Sequence, residues 1–109
     1  ILVSVERDGG RPTVEIVSTA DGHVAAEFDA AMRGAWDTRS ANTILSAPDR
    51  KGAMQLWRAN PNLPAQREQL TFLDGGTDRT VLVSPDGRWA STFAANTPKP
   101  SLVFTRLEQ

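Results

Sequence analysis

Serines are the first residues to consider for catalysis, because seven of them are spread along the chain. A serine nucleophile held on a tight strand-to-helix turn needs one glycine two residues before it and another two residues after it. No serine of this chain has glycine at both positions, so we predict no catalytic residue. The serines are Ser4, Ser18, Ser40, Ser46, Ser84, Ser91 and Ser101.

Metal ligands are equally sparse. His23 is the only histidine and there is no cysteine, whereas a zinc site needs three or four ligands. Asp74 and Asp78 flank a Gly-Gly pair, but they lack the alternating carboxylates and closing glutamate of a calcium loop, so we interpret them as turn residues. No glycine-rich loop is followed by Lys-Ser or Lys-Thr. We therefore predict neither a metal site nor a cofactor.

The charge balance argues against two classes of partner. The chain has 12 basic and 13 acidic residues and a net charge of −1, so it lacks the positive charge typical of proteins that bind nucleic acid or an anionic membrane. No apolar stretch reaches the 18 residues of a membrane span. The absence of cysteine excludes disulfides and fits the cytosol and the periplasm equally.

The residue pattern predicts an all-β fold. Short runs rich in β-branched and aromatic residues are separated by Gly, Pro, Asp and Asn. In Ser84-Pro85-Asp86-Gly87, proline presets φ and glycine supplies a positive φ, so we predict a hairpin there. The one helical candidate, residues 25–36, is weakened by Gly34. Other turns are predicted at 8–10, 20–22, 48–52, 74–76 and 96–98, and strands at 1–6, 13–19, 23–28, 32–38, 42–47, 53–59, 67–72, 78–83, 88–94 and 101–107.

A weak internal repeat indicates how these strands are grouped. At a shift of 47 residues, the segment 83–87 aligns with 36–40, and 102–104 aligns with 55–57 without a gap. At a shift of 40 residues, a fainter similarity relates 54–57 to the segment that starts at Val14. Units of this length with four strands each are typical of a β-propeller. A β-sandwich with chance similarity is the alternative.

We therefore predict an antiparallel β-propeller fragment of about two and a half four-stranded blades. It would comprise a partial blade over residues 1–28, a full blade over 32–72 and a partial blade over 78–107. Because the first residue is Ile1 rather than methionine, we expect a part of a longer polypeptide; a short protein with a processed N-terminus is the alternative. The end blades lack partners, so we predict that the isolated chain self-associates or folds poorly.

Four charged residues are candidates for a binding role. The innermost strands of the fragment, predicted at 32–38 and 78–83, would direct their side chains toward a central tunnel. These residues are Arg33, Asp37, Asp78 and Arg79.

Several segments resemble one known family. Val5-Glu6-Arg7-Asp8-Gly9 resembles the Ser-Glu-Arg-Asp-Gly strand and turn in the propeller domain of dipeptidyl peptidase IV-like serine peptidases, in the prolyl oligopeptidase clan. Glu68-Gln69-Leu70-Thr71, the Gly75-Gly76 pair, Val83-Ser84-Pro85-Asp86-Gly87-Arg88-Trp89 and Asn96-Thr97-Pro98 are similar to the last blade of that domain. Gln-Leu-Thr followed by Ser-Pro-Asp-Gly also resembles propellers of the TolB kind.

The resemblance implies a non-catalytic propeller segment of a serine dipeptidyl peptidase that is periplasmic or secreted. The propeller would restrict access of short peptides to a separate α/β-hydrolase domain, which carries the catalytic serine. Its partners would be the remainder of the propeller, the hydrolase domain of the same polypeptide and, indirectly, a peptide substrate. The alternative is a TolB-like scaffold for protein-protein interaction, and a cytoplasmic location stays open.

Overall fold

The computed structural model describes residues 1–7, 11–37, 40, 42–95, 97–99 and 101–107 of the 109 residues. Ten β-strands and no helix occur in this part of the chain. The strands are β1 (Leu2–Arg7), β2 (Arg11–Val17), β3 (Val24–Asp29), β4 (Arg33–Trp36), β5 (Thr43–Pro48), β6 (Met54–Asn60), β7 (Leu63–Gln69), β8 (Leu82–Val83), β9 (Trp89–Ala94) and β10 (Ser101–Arg106).

The strands form three antiparallel sheets. Sheet 1 has the order β1-β2-β3, sheet 2 the order β4-β5-β6-β7 and sheet 3 the order β8-β9-β10. Each strand pairs with its neighbours in sequence, so each sheet is a meander. The predicted all-β class is confirmed, and the weak helical candidate at residues 25–36 forms β3 and β4 instead.

Two strands differ most in extent from their prediction. β7 begins at Leu63 rather than near residue 67, because an unpredicted turn precedes it, in which the Asn62 amide donates to Asn60 Oδ1 at 2.9 Å. β8 has only two residues, because Asp78 accepts a hydrogen bond from a backbone amide two residues later and so forms a turn where a strand was predicted. In both places a hydrogen bond between a side chain and a nearby backbone amide determines where the strand begins.

The hairpin predicted between β8 and β9 is confirmed. Gly87 has a φ of 72°, and its amide donates to the Ser84 carbonyl at 2.9 Å. Two other predicted turns fall wholly or partly outside the described residues, namely residues 8–10 and Asn96 of the turn at 96–98.

Two hydrophobic clusters hold the sheets together. The cluster at the 1–2 interface joins sheet 1 to sheet 2, and the cluster at the 2–3 interface joins sheet 2 to sheet 3. Sheet 2 therefore lies between the other two, and the molecule has three layers. Val14, Phe28, Ala31, Leu45, Ala47 and Ala59 form the first cluster, and Ile44, Leu56, Ala90 and Leu107 form the second.

β5 is buried on both faces. Leu45 and Ala47 pack in the 1–2 interface, whereas Ile44 packs in the 2–3 interface, and all three side chains are fully buried. This follows from the strand geometry, because successive side chains point to opposite faces of a sheet. Burying a leucine or isoleucine contributes about 1.5–3 kcal/mol, so β5 stabilises both interfaces.

One face of sheet 3 carries exposed apolar side chains. Ala90 packs in the 2–3 interface, so the next residue, Ser91, points away from sheet 2. Ser91 pairs with both Leu82 and Phe104, which are 56% and 61% exposed and lie in the same row. We define the outer face of sheet 3 as Leu82, Trp89, Phe93, Leu102 and Phe104. Three of these side chains, Leu82, Leu102 and Phe104, are about half exposed or more.

A connector, residues 70–77, links sheet 2 to sheet 3. Gln55 of β6 binds the connector through side-chain hydrogen bonds. Its polar side chain is buried and only 1% exposed. Gln55 Nε2 donates to the Leu73 carbonyl at 2.7 Å, and Gln55 Oε1 accepts from Thr71 Oγ1 at 2.7 Å and from the Leu73 amide at 3.2 Å. Nε2 also donates to Asp49 Oδ2 at 3.2 Å. The buried amide is therefore fully satisfied.

The connector lies against the backbone of β6 at Gly76. Gly76 has a φ of 75°, and a Cβ there would lie 2.8 Å from both the backbone nitrogen and the backbone oxygen of Met54. The Thr77 amide donates to the Met54 carbonyl at 2.7 Å, and the Ala95 amide donates to the Gly76 carbonyl at 3.0 Å. Backbone hydrogen bonds thus join the connector to sheet 2 on one side and to the end of β9 on the other.

The 47-residue repeat holds for the first two strands of sheets 2 and 3. Trp36 pairs with Thr43 in sheet 2, and Val83 pairs with Ala90 in sheet 3, so both members of the pair are displaced by 47 (83 − 36 and 90 − 43). The predicted alignment of 83–87 with 36–40 therefore agrees with the strand register.

The repeat shifts by one residue at the next strand. In sheet 2, Ser46 pairs with Leu56. The residue 47 positions after Ser46 is Phe93, which pairs with Leu102 rather than with residue 103. The gap-free alignment of 102–104 with 55–57 is therefore wrong by one position, and Leu102 is the counterpart of the buried Leu56.

Candidate functional site

A cavity of about 350 Å³ lies where sheet 2 meets sheet 3 near the start of β4. We call it the arginine cavity. Among the described residues, its lining contains two arginines and no acidic residue. The lining residues are Arg33, Gly34, Arg79, Thr80 and Val81.

Strand pairing directs Arg33 toward sheet 3. Ala35 pairs with Ile44, which packs in the 2–3 interface, and Arg33 lies two residues earlier on the same face of β4. Arg33 itself pairs with Ser46, a fully buried residue whose hydroxyl has no hydrogen-bond partner in the described part of the chain. Arg33 therefore lies on the face of β4 that is directed toward sheet 3.

A turn holds Arg79 on the other side of the cavity. Asp78 Oδ1 accepts from the Thr80 amide at 2.8 Å and from Thr92 Oγ1 at 3.2 Å, and the Asp78 amide donates to the Phe93 carbonyl at 2.8 Å. These bonds fix the residues on both sides of Arg79 and tie them to β9. The Arg79 side chain stays exposed.

The arginine cavity carries uncompensated positive charge. Neither arginine side chain makes an ion pair or a hydrogen bond with any residue that the structure describes. A guanidinium remains protonated and offers five N–H donors in a planar fork. The arrangement can therefore bind an anion with several oxygen acceptors.

The structure brings together two of the four residues predicted to face a tunnel. Arg33 and Arg79 line one cavity, whereas Asp37 and Asp78 are not in its lining. Asp37 is buried beyond the other end of β4, where its Oδ2 accepts from Ser40 Oγ at 2.9 Å. None of the three sheets is closed, so the tunnel itself stays a prediction.

His23 directly follows the turn predicted at residues 20–22. Its amide donates to Asp21 Oδ1 at 3.1 Å, and its ring Nδ1 lies 2.6 Å from the same oxygen. These hydrogen bonds lower the pKa of Asp21. Asp74 also lies in a turn, within the connector. In the described residues there is no group of three or more His, Asp or Glu that could hold a metal ion.

The hairpin between β8 and β9 is held by side-chain hydrogen bonds. Ser84 Oγ donates to Asp86 Oδ1 at 2.6 Å, and the Arg88 amide donates to the same oxygen at 3.0 Å. Because both bonds favour the ionised carboxylate, they lower the pKa of Asp86. Ser84 is therefore a turn residue.

A larger cavity of about 590 Å³ was not predicted from the sequence. It lies between the β5–β6 turn and the connector, and its lining combines acidic, basic and aromatic residues. Trp57 belongs to this lining, but its indole N–H donates to the Ala47 carbonyl at 2.9 Å and its ring packs in the 1–2 interface. The lining comprises Asp49, Arg50, Lys51, Gln55, Trp57, Arg67, Gln69, Phe72, Leu73 and Asp74.

The three tryptophans do not share one role. The sequence predicts that all of them pack between sheets, and Trp57 does so. Trp36 and Trp89 are exposed instead. Trp89 lies on the outer face of sheet 3, where the guanidinium carbon of Arg106 is 5.7 Å from its ring centroid and forms a cation–π contact.

Comparison with protein-family models, with curated proteins and with solved structures finds no match to this chain. The described residues contain no helix that is long and apolar enough to cross a membrane. We therefore base the functional proposal on the geometry.

Proposed function

We propose that this chain is a non-catalytic arc of an antiparallel β-propeller, with sheets 1, 2 and 3 as consecutive blades. The observation that supports this most is the burial of sheet 2 on both faces by two further antiparallel meanders. Blades of a propeller are sheets of this kind that pack face to face around an axis. A β-sandwich has two packed sheets and one interface, so three layers favour the propeller over that alternative.

The outer face of sheet 3 supports a further blade in the parent protein. Leu102, the counterpart of Leu56, is 49% exposed, whereas Leu56 is fully buried by sheet 3. The same position in the repeat is thus covered in sheet 2 and uncovered in sheet 3. An additional sheet would cover it in the same way.

Within the parent polypeptide, the arc would restrict access to a separate hydrolase domain of a dipeptidyl peptidase IV-like enzyme, in the periplasm or outside the cell. Two observations support a role without catalysis. No serine of the chain has the glycine pair of a nucleophile, and Ser84 is engaged in a turn. The polar lining of the arginine cavity suits the passage or binding of short, charged peptides.

The second candidate is a TolB-like scaffold that binds another protein. The exposed apolar row on the outer face of sheet 3 favours it, because a partner protein could cover Leu82 and Phe104 as well as a further blade could. One property of the parent polypeptide distinguishes the two candidates, because only the peptidase carries an activated serine.

We expect the whole polypeptide that contains this chain to react with a fluorophosphonate probe, which labels activated serines. The labelled residue should lie outside residues 1–109, and dipeptidyl substrates should be cleaved faster than long unfolded polypeptides. Ser84→Ala serves as the control, since its hydroxyl is part of a hairpin and labelling should not change. A parent polypeptide without a labelled serine would reject the peptidase and leave the scaffold.

The arc proposal also predicts self-association of the isolated chain through the outer face of sheet 3. Replacing Leu102 and Phe104 together by lysine should shift the chain toward the monomer, because charged residues would have to be buried in the contact. Sedimentation velocity over a range of concentrations measures this shift.

Phe72→Lys is the matched control for this experiment. Phe72 is 75% exposed but lies in the connector, outside the outer face of sheet 3. Its substitution should leave the association unchanged. A wild-type chain that stays monomeric and unfolds in one sharp transition would contradict the arc proposal.

A further inference from the structure

We propose that the arginine cavity binds the carboxylate group of a short peptide. Arg33 of β4 and Arg79 of the turn before β8 line the same cavity, and no acidic residue is among the described residues of its lining. A carboxylate is planar and can accept parallel hydrogen bonds from a guanidinium, which makes it the natural partner of this pair. That the carboxylate comes from a peptide rests on the proposed function, whereas binding of the carboxylate rests on the cavity alone.

The charge of the cavity favours an anion. Each guanidinium is exposed and has no ion-pair partner among the described residues, so a ligand displaces no existing carboxylate. A bound anion would also reduce the repulsion between the two arginines, which is stronger near a protein surface than in bulk water. Binding therefore requires little rearrangement of the protein.

The size and the remaining lining favour a small ligand. A volume of about 350 Å³ lies at the lower end of the range for small-molecule sites. Thr80 contributes a hydroxyl and Val81 an apolar side chain, so the lining suits a carboxylate attached to a short aliphatic group. A peptide terminus fits this description, whereas a folded protein does not enter such a space.

Ser46 is the neighbour of Arg33 across the β4–β5 pair. It pairs with Arg33 on the same face of sheet 2, so the two Cβ atoms lie about 5 Å apart. Its hydroxyl is fully buried and has no partner among the described residues, although buried hydroxyls are usually hydrogen-bonded. Ser46 is not among the described residues that line the cavity, so the carboxylate site rests on the two arginines.

The test uses the complete chain labelled with ¹⁵N, at a concentration at which sedimentation shows it to be monomeric, and follows the Nε–Hε signals of its arginines by NMR. The probes are N-acetyl-dialanine, its C-terminal amide and inorganic phosphate. We expect the free acid to shift the signals of Arg33 and Arg79, and the amide to leave them in place. Arg33→Gln and Arg79→Gln should each weaken binding about tenfold or more, because each removes charge-assisted hydrogen bonds.

Arg50→Gln is the matched control, because Arg50 is an exposed arginine in the β5–β6 turn that lines the larger cavity instead. It should bind the acid as the wild type does. The side chains of Arg33 and Arg79 are exposed and form no described hydrogen bonds, so both variants should keep the amide spectrum of the folded chain.

Three results would overturn the inference: equal binding of acid and amide, binding of phosphate without binding of the acid, or an equal loss in Arg50→Gln. Each of them leaves the propeller proposal standing, because that proposal is tested by serine labelling and by association. Conversely, if the chain binds the carboxylate but the parent polypeptide has no labelled serine, the carboxylate site is supported and the peptidase proposal is rejected.

Discussion

Replacing Gly76 by alanine is expected to destabilise the chain by about 2–5 kcal/mol, a large share of the stability of a small domain. The positive φ costs an alanine about 1–2 kcal/mol. The new Cβ would lie 2.8 Å from two backbone atoms of Met54, so the backbone must move, and overpacking of this kind costs about 1–3 kcal/mol more. Urea unfolding followed by tryptophan fluorescence measures the change.

Gly52→Ala separates the two causes. Gly52 also has a positive φ, of 84°, but a Cβ there would meet no atom within 4 Å. Its substitution should cost only the backbone term of about 1–2 kcal/mol. Equal destabilisation by the two substitutions would show that the connector does not lie against β6 at Gly76.

Replacing Gln55 by leucine is expected to destabilise the chain by about 2–4 kcal/mol. Leucine has a similar volume, so the loss comes from hydrogen bonds rather than from an empty space. The Thr71 hydroxyl proton and the amide and carbonyl of Leu73 would lose Gln55 as their partner, whereas Thr71 Oγ1 would still accept from the Leu56 amide. Each polar group left unsatisfied in a buried position costs about 1–3 kcal/mol. Thermal unfolding by circular dichroism measures the effect.

Gln66→Leu is the control for this substitution. Gln66 is an exposed glutamine in the adjacent strand β7, and its replacement should change the free energy of unfolding by no more than about 0.5 kcal/mol. If Gln55→Leu were as mild as Gln66→Leu, the buried network would contribute nothing to holding the connector.

The sequence predicts the strands well because their causes are local. β-branched runs and turn residues act over a few positions, and so ten strands and the hairpin at Ser84–Gly87 are found close to where the pattern places them. The differences arise where a hydrogen bond from one side chain to the backbone determines where a strand begins. The bond from the Asn62 amide to Asn60 Oδ1 starts β7 early, and the turn at Asp78 shortens β8.

The candidate site is harder to predict from the sequence than the strands are. The repeat placed Arg33 and Arg79 on successive units, but only the packing of sheet 2 on sheet 3 shows that they line one cavity. The same holds for Gln55 and the connector, whose hydrogen-bonded partners are 16 and 18 residues apart in the chain. From the sequence alone, a polar residue at an alternating strand position is predicted to face solvent, because its buried hydrogen-bond partner is not known.

Ile44 and Leu45 are neighbours in β5, yet each packs against a different sheet. A change in the size of Ile44 would therefore alter the spacing to sheet 3 and leave the spacing to sheet 1 nearly as it is, and the reverse holds for Leu45. Substitutions at these two adjacent positions can therefore change the spacing of sheet 2 from sheet 1 and its spacing from sheet 3 independently of each other.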